Sequence, residues 1–303
     1  MNTVLDLEAT EAALVGGVVA FEGNRDVIEV DGPDAGTYLQ GQISQDVLGL
    51  DVGASAWSFV LAPQGKVDAW FRVTRTSEHS FLLDLDAGFG DAVLTRLRRF
   101  KLRTKADLTL RTARSIAVRG PAATPVGLGG VGPDDSQPHD RVLPAAWPGI
   151  DGFDVLDPSH DPAVPFGDPA ALLALRIRTG QPAMGAELDE HTIPAEAGVV
   201  DASVSFTKGC YVGQELVARV DSRGNNTPRK LLGIRLHGSE APLPGAEVVG
   251  PDGAVGVITS SVATSSGVIA MAYIKRGTDP GVAVRVALAS GSMAEGQLHS
   301  FPL

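Results

Sequence analysis

The sequence predicts an α+β fold that ends in a small antiparallel β-barrel. Between Val27 and Leu110, short strand-like runs exchange with stretches whose apolar residues recur at helical spacing, so strands and helices are both required. From Lys230 onward the helical period disappears, and five strand candidates follow within about 75 residues, the spacing of a small closed barrel. The polar, turn-rich segment Asp221 to Arg229 separates the two patterns, dividing residues 1–225 from a barrel at 226–303.

The elements follow in order. Val27 to Val30 is a strand leading into Asp31-Gly32-Pro33, where Asp31 or Gly32 caps a helix with Ala35, Leu39 and Ile43 on one face. Trp57 to Ala62 and Val67 to Thr74 form a hairpin around Pro63-Gln64-Gly65-Lys66. Phe81 to Leu85 is a further strand, and Phe89, Val93, Leu94, Leu97 and Phe100 mark a helix. Its far end gathers Arg96, Arg98, Arg99, Lys101, Arg103 and Lys105, either a solvated helix end that suits the dipole or an anion site. Strands at Asp107 to Leu110 and Ser115 to Arg119 precede a Pro/Gly-rich stretch, Gly120 to Pro138. Within it, Gly127 to Gly132 satisfies the dinucleotide pattern Gly-x-Gly-x-x-Gly, but Pro133 to Pro138 cannot open the helix that the pattern needs, so a surface loop is expected. Asp168-Pro169 starts a helix that ends at Gly180. Arg176 on its apolar face is either an ion-pair partner of Glu187 or Glu196, or a ligand contact. The barrel strands are Lys230 to Leu236, Glu247 to Val249, Ala254 to Ser260, Val268 to Ile274 and Val282 to Leu288.

Composition narrows the function. A net charge of -11 argues against non-specific binding to nucleic acid. The acidic segment Met1 to Glu11 has no basic n-region and no apolar run is long enough to span a bilayer, so neither signal peptide nor membrane partner is expected and a cytoplasmic location follows. One cysteine excludes an internal disulfide and a four-thiolate cluster or zinc site within the chain, and the six histidines lack metal-ligand spacing, so no metal is expected. Gly-x-Ser-x-Gly and P-loop patterns are absent.

That cysteine lies in the chain's densest cluster of reactive side chains, Lys208-Gly209-Cys210-Tyr211-Val212-Gly213-Gln214-Glu215. Val199 to Phe206 alternates like a strand while Val212, Leu216 and Val220 keep helical spacing, placing the thiol where strand hands over to helix. There Lys208 and the helix N-terminus would favour thiolate. The alternative is a small apolar residue buried at the junction.

The order Lys-Gly-Cys-Tyr-x-Gly-Gln-Glu resembles the signature of the YgfZ family, folate-binding relatives of the glycine-cleavage T-protein (aminomethyltransferase), at all seven specified positions. The block Gly32 to Val47 is similar to the N-terminal block of both families, making Gln40, Gln42 and Asp46 pocket candidates. Gly65-Lys66-Val67-Asp68-Ala69 resembles the T-protein's Gly-x-x-Asp-Asp, one of whose aspartates helps activate the folate, but keeps only the first acid. Pro148 to Val155 resembles the segment whose first glutamate anchors the pterin ring, with Ile150 in that place. Arg176 to Gly198, including Glu187 and Glu196, also follows the T-protein order. The resemblance implies a T-protein-like multi-lobed ring of folate-binding lobes plus the barrel. It implies a tetrahydrofolate-binding accessory protein supporting assembly or repair of iron-sulfur enzymes, with those enzymes or assembly proteins as partners. On this reading Cys210, Lys208, Tyr211, Gln214 and Glu215 carry the chemistry, Gln40, Asp68, Arg176, Glu187 and Glu196 contact folate, and Arg98 and Arg99 guide a polyglutamate tail. The alternatives are a folate-dependent aminomethyltransferase, against which Ala69 and Ile150 stand, and a non-catalytic protein-protein scaffold.

Overall fold

The structure is a computed structural model that describes residues 3–124 and 141–303. The glycine pattern from Gly127 to Gly132 lies outside the described residues. In chain order the first elements are α1 (Leu7–Gly16), β1 (Val19–Asp31), α2 (Ala35–Gln42), β2 (Ser55–Leu61), β3 (Val67–Arg75), β4 (Ser80–Asp86), α3 (Gly90–Arg99), β5 (Asp107–Arg119), β6 (Arg141–Pro144), β7 (Gly152–Leu156) and α4 (Pro169–Thr179). Then follow α5 (Val200–Ser203), α6 (Gln214–Asp221), β8 (Arg229–Leu236), β9 (Glu247–Gly250), β10 (Gly253–Thr264), β11 (Gly267–Lys275), β12 (Ala283–Ala287) and β13 (Met293–His299). Among the described residues no helix is long and apolar enough to cross a membrane.

The chain divides into two compact units. One comprises Asn24–Ala113 and Ala183–Thr227. Its antiparallel strands lie in the order β2-β3-β4-β1. Strand alternation separates two faces. Ala69, Phe71, Val73, Phe81, Leu83 and Ile28 enter an apolar core with Leu39 of α2 and Leu97 of α3. The opposite face carries Trp57 stacked on Trp70, with ring centroids 4.0 Å apart, and the buried charges Arg72 and Asp84, which are register partners on β3 and β4. The helix predicted from Ala35 is present, although its N-cap is Asp34, whose carboxylate accepts the Lys105 N–H instead of capping.

The other unit comprises Met1–Gly23, Arg114–Pro182 and Pro228–Leu303. Here β7 pairs with β5 on one side and β6 on the other, and six strands close a barrel in the order β10-β11-β8-β13-β12-β9. Ile234, Val248, Ile258, Ala270, Val286 and Leu298 fill its interior. Helix α4 starts on an Asp168 cap and ends on Gly180 in the left-handed region, and it buries Ala174 and Ile177 against Leu231, Met271 and Tyr273. The sixth barrel strand, β13, is the one that the sequence pattern does not show. It is polar and interrupted by Gly296, where a Cβ would lie only 2.3 Å from the Arg235 carbonyl oxygen, so close pairing with β8 demands the residue that weakens the strand signal.

Candidate functional site

The cysteine stretch is held by an ammonium. Lys208 Nζ donates to the carbonyl oxygens of Gln40 (2.6 Å), Ile43 (2.7 Å) and Gln45 (2.9 Å), all at the turn that ends α2, and stands 5.0 Å from the centroid of the Tyr211 ring. An ammonium has three N–H donors, and all three are spent here. Burial pushes Lys208 down to about 8, Asp46 pulls the other way, and the carbonyl acceptors likewise favour the charged form, so it is a cation at neutral pH. It has no N–H left for sulfur, and its work is to fix the loop that carries Cys210.

The turn that receives Lys208 is tied internally. Gln40 donates through Nε2 to Asp46 (2.9 Å) and accepts the Val47 N–H (3.0 Å), and Gln45 accepts the Asp46 N–H (2.9 Å). Ser44 donates to the Ser203 carbonyl (2.6 Å) and accepts the Phe59 N–H (2.8 Å), while Trp70 donates to Ser203 Oγ (2.9 Å). These bonds explain why Val199 to Phe206 is not the predicted strand. Val200–Ser203 forms the short helix α5, which places the Ser203 hydroxyl on Trp70 of β3 and its carbonyl on Ser44. Cys210 thus lies in a loop rather than at a strand-helix junction, and it is exposed.

Helix α6 begins four residues after the thiol, behind Gly213. Gly213 has φ +84° and packs on the hairpin turn: a Cβ would approach the Ala62 carbonyl oxygen to 2.6 Å and Leu61 Cβ to 2.7 Å. Gly213→Ala combines left-handed strain with a backbone clash and should destabilise the protein by about 2 kcal/mol or more, read as a lower urea midpoint. A midpoint equal to wild type would show that the loop does not need this approach.

Gln214 opens α6 and accepts the Tyr211 N–H through Oε1 (3.2 Å), and Glu215 is exposed in the first helical turn, where the dipole favours a carboxylate. Tyr211 is buried, as is Tyr38, whose hydroxyl donates to the Leu97 carbonyl. Burial raises both phenols to about 12. The unfolded chain loses these protons from pH about 10 while the native state keeps them, so the phenols' contribution to stability is constant below pH 10 and falls between about 10 and 12, by at most about 1.4 kcal/mol per pH unit for each ring. Tyrosinate absorbance of the native protein should accordingly show Tyr38 and Tyr211 titrating late. Ionisation of both near pH 10 would contradict their burial.

The hairpin supplies a second group of polar residues. Asp68 points away from the core and accepts from Arg96 Nε (3.3 Å), whereas Ala69 is fully buried among apolar side chains. A carboxylate at position 69 would enter the core, so this alanine removes no acid from the face that bears Asp68. Arg96 also donates to the Leu61 carbonyl (3.4 Å) and lies 4.1 Å from the Phe100 ring centroid, and its Nη1 is buried without a hydrogen-bond partner. Sequence reasoning placed Arg96 in the basic run, as part of a candidate anion site, and not at the hairpin. The available signal was its helical spacing from Val93 and Phe100, which turns it toward the hairpin while Arg98 and Arg99 face solvent. Arg98 and Arg99 are both exposed, Arg98 donating to the Leu108 carbonyl (3.0 Å).

The remaining candidates hold backbone. Glu187 accepts the Ala183 N–H (3.0 Å) and Glu196 the Ile193 N–H (3.3 Å), and both are buried. Arg176 belongs to the other unit, where it donates to the Gln181 carbonyl (3.2 Å) and Ser260 Oγ (2.6 Å). Ile150 is half-buried there in a turn with Trp147.

No family model matches the chain. A "tRNA-modifying protein YgfZ" from Cronobacter sakazakii is 27% identical over 300 residues, covering 90% of this chain and 88% of that protein. An "iron-sulfur cluster assembly factor IBA57 homolog, mitochondrial" from Pyricularia oryzae is 30% identical over 228 residues, 69% of this chain and 54% of that protein, so the chain spans about half of its length. The chain belongs to the YgfZ family. The crystal structure of glycine cleavage system aminomethyltransferase T from Bartonella henselae matches over 98% of this chain and 89% of that one with a TM-score of 0.83 and 22% identity. This YgfZ-family chain therefore shares the T-protein fold.

Proposed function

We propose that the chain is a cytoplasmic tetrahydrofolate-binding accessory protein that supports assembly or repair of iron-sulfur enzymes, with Cys210 as its reactive group. The observation that carries this reading is an exposed thiol on a loop immobilised by Lys208 and Gly213, which is the arrangement of a working group rather than of a packing residue. The names of the relatives support the iron-sulfur part.

The residues present fit a folate. Asp68 offers a partly exposed carboxylate to the N–H groups of a pterin, the orphaned Arg96 Nη1 offers a buried donor beside it, and the orphaned Gln42 Oε1 offers a further acceptor. When bound, the folate would supply a one-carbon carrier, and the chain's own part is to orient it and to present the thiol. Exposed Arg98 and Arg99 suit the carboxylates of a polyglutamate tail.

Calorimetric titration with tetrahydrofolate should show saturable binding at or below the millimolar range, about -4 kcal/mol or better. A polyglutamylated form should bind tighter at low salt, by about tenfold, and reversing the charges of Arg98 and Arg99 should abolish that margin. Cys210→Ser should retain folate binding but fail to restore iron-sulfur enzyme activity in cells lacking the protein. Absence of saturable binding, or full restoration by Cys210→Ser, would reject the reading.

A further inference from the structure

The barrel carries a concavity that belongs to no part of the site above. Lys230 on β8, Lys275 at the end of β11 and Arg276 just beyond it line a cavity of about 470 Å³, with Leu232 and Ile274 as apolar lining. The ladder sets Arg229 directly opposite Lys275, beside Lys230 opposite Ile274. Like charges facing each other across a strand pair are destabilising. Arg229 is accommodated by the Tyr273 ring, 4.1 Å from its centroid, and Lys275 donates one N–H to the Ala254 carbonyl (2.9 Å). Lys230 and Arg276 have no ion pair or side-chain hydrogen bond among the described residues, although the chain as a whole carries a net charge of -11. In a protein rich in acids, Lys230 and Arg276 stand together without an ion pair among the described residues.

We propose that this concavity binds a small phosphorylated organic molecule. Ammonium and guanidinium groups bind phosphate oxygens through charge-assisted hydrogen bonds. The hydroxyls of Thr278 and Ser300 line the same cavity and have no partner among the described residues. The N–H of Gly277, whose φ of +91° demands glycine, is likewise unused. The volume exceeds what a lone phosphate fills and falls within the range of small-molecule pockets, and the apolar lining provides for a carbon skeleton. Asp279, the one carboxylate among the lining residues, suits a hydroxyl or N–H of that organic part and disfavours a ligand that is anionic throughout. This inference rests on the barrel alone and is independent of folate binding.

The test is amide NMR on the full chain, titrated with ADP as the phosphorylated probe and, in parallel, with inorganic phosphate and a single-stranded RNA oligonucleotide. ADP should shift the amides of Lys230, Gly277 and Thr278 saturably. Added salt should weaken it, and the Lys230→Ala, Arg276→Ala double variant should bind at least tenfold more weakly. Both positions are exposed, and the unshifted remainder of the spectrum reports that the variant is folded. Phosphate alone should shift the same amides at higher concentration. The proposal is overturned if ADP produces no saturable shift, if its shifts map elsewhere, if the double variant binds equally well, or if RNA titrates this patch and ADP does not.

Discussion

Lys208→Met should destabilise the protein by about 2 to 5 kcal/mol at pH 7 and release the cysteine loop. The side chain reaches three carbonyl oxygens at 2.6 to 2.9 Å, and a thioether of similar length satisfies none of them. Leaving a buried acceptor unpaired costs about 1 to 3 kcal/mol, and water entering the turn recovers part of that. Arginine should be a poor substitute, because a planar fork cannot place three N–H groups on converging carbonyls as a compact ammonium does. Urea unfolding reads the first effect. Amide exchange at residues 40–46 and 208–213 reads the second, since these two segments share the bond network and should lose protection together. A loss below about 0.5 kcal/mol with unchanged exchange would mean that the cation is not what joins them.

Asp84→Ala should cost more, about 3 to 5 kcal/mol, because it strands buried charge. Asp84 is fully buried, accepts from Arg72 on the neighbouring strand, and accepts from Arg25 Nε (2.6 Å). Arg72 is itself almost fully buried, so without the carboxylate a guanidinium remains in a low-dielectric face between strands. Arg25 also pairs with Asp86, and Asp86 accepts the Met184 N–H (3.0 Å), so the network reaches the start of the segment that later carries Cys210. Removing both partners should be milder than removing one: Arg72→Met with Asp84→Leu should recover most of the loss. If the double variant is as unstable as Asp84→Ala, or if Asp84→Ala loses less than about 1 kcal/mol, charge burial is not the reason that the pair matters.

The features legible from residue order alone are those whose causes lie within a few positions of one another. Asp168 and Gly180 bound α4 because a cap and a left-handed terminus need only their neighbours. The hairpin around Gly65, the apolar face of α3 and most of the barrel strands follow from turn chemistry and periodicity in the same way. The YgfZ signature was legible as an order of residues. Its physical meaning was not, because the groups that Lys208 binds lie 163 to 168 positions away. The same limit governs the other surprises. Val199 to Phe206 alternates like a strand, but Val200–Ser203 within it folds as a helical turn because Ser44 and Trp70, distant in sequence, take its polar groups. Ala69 and Asp68 are adjacent in the chain, yet the pleat sends one into the core and the other toward Arg96. Gly213 and Gly296 read as breakers of regular structure, and only the packed chain shows the carbonyl oxygens that each must admit. Local propensity depends on neighbours in sequence, whereas a cation's partners, a strand's faces and a glycine's necessity depend on neighbours in space, and those exist only once the chain has folded.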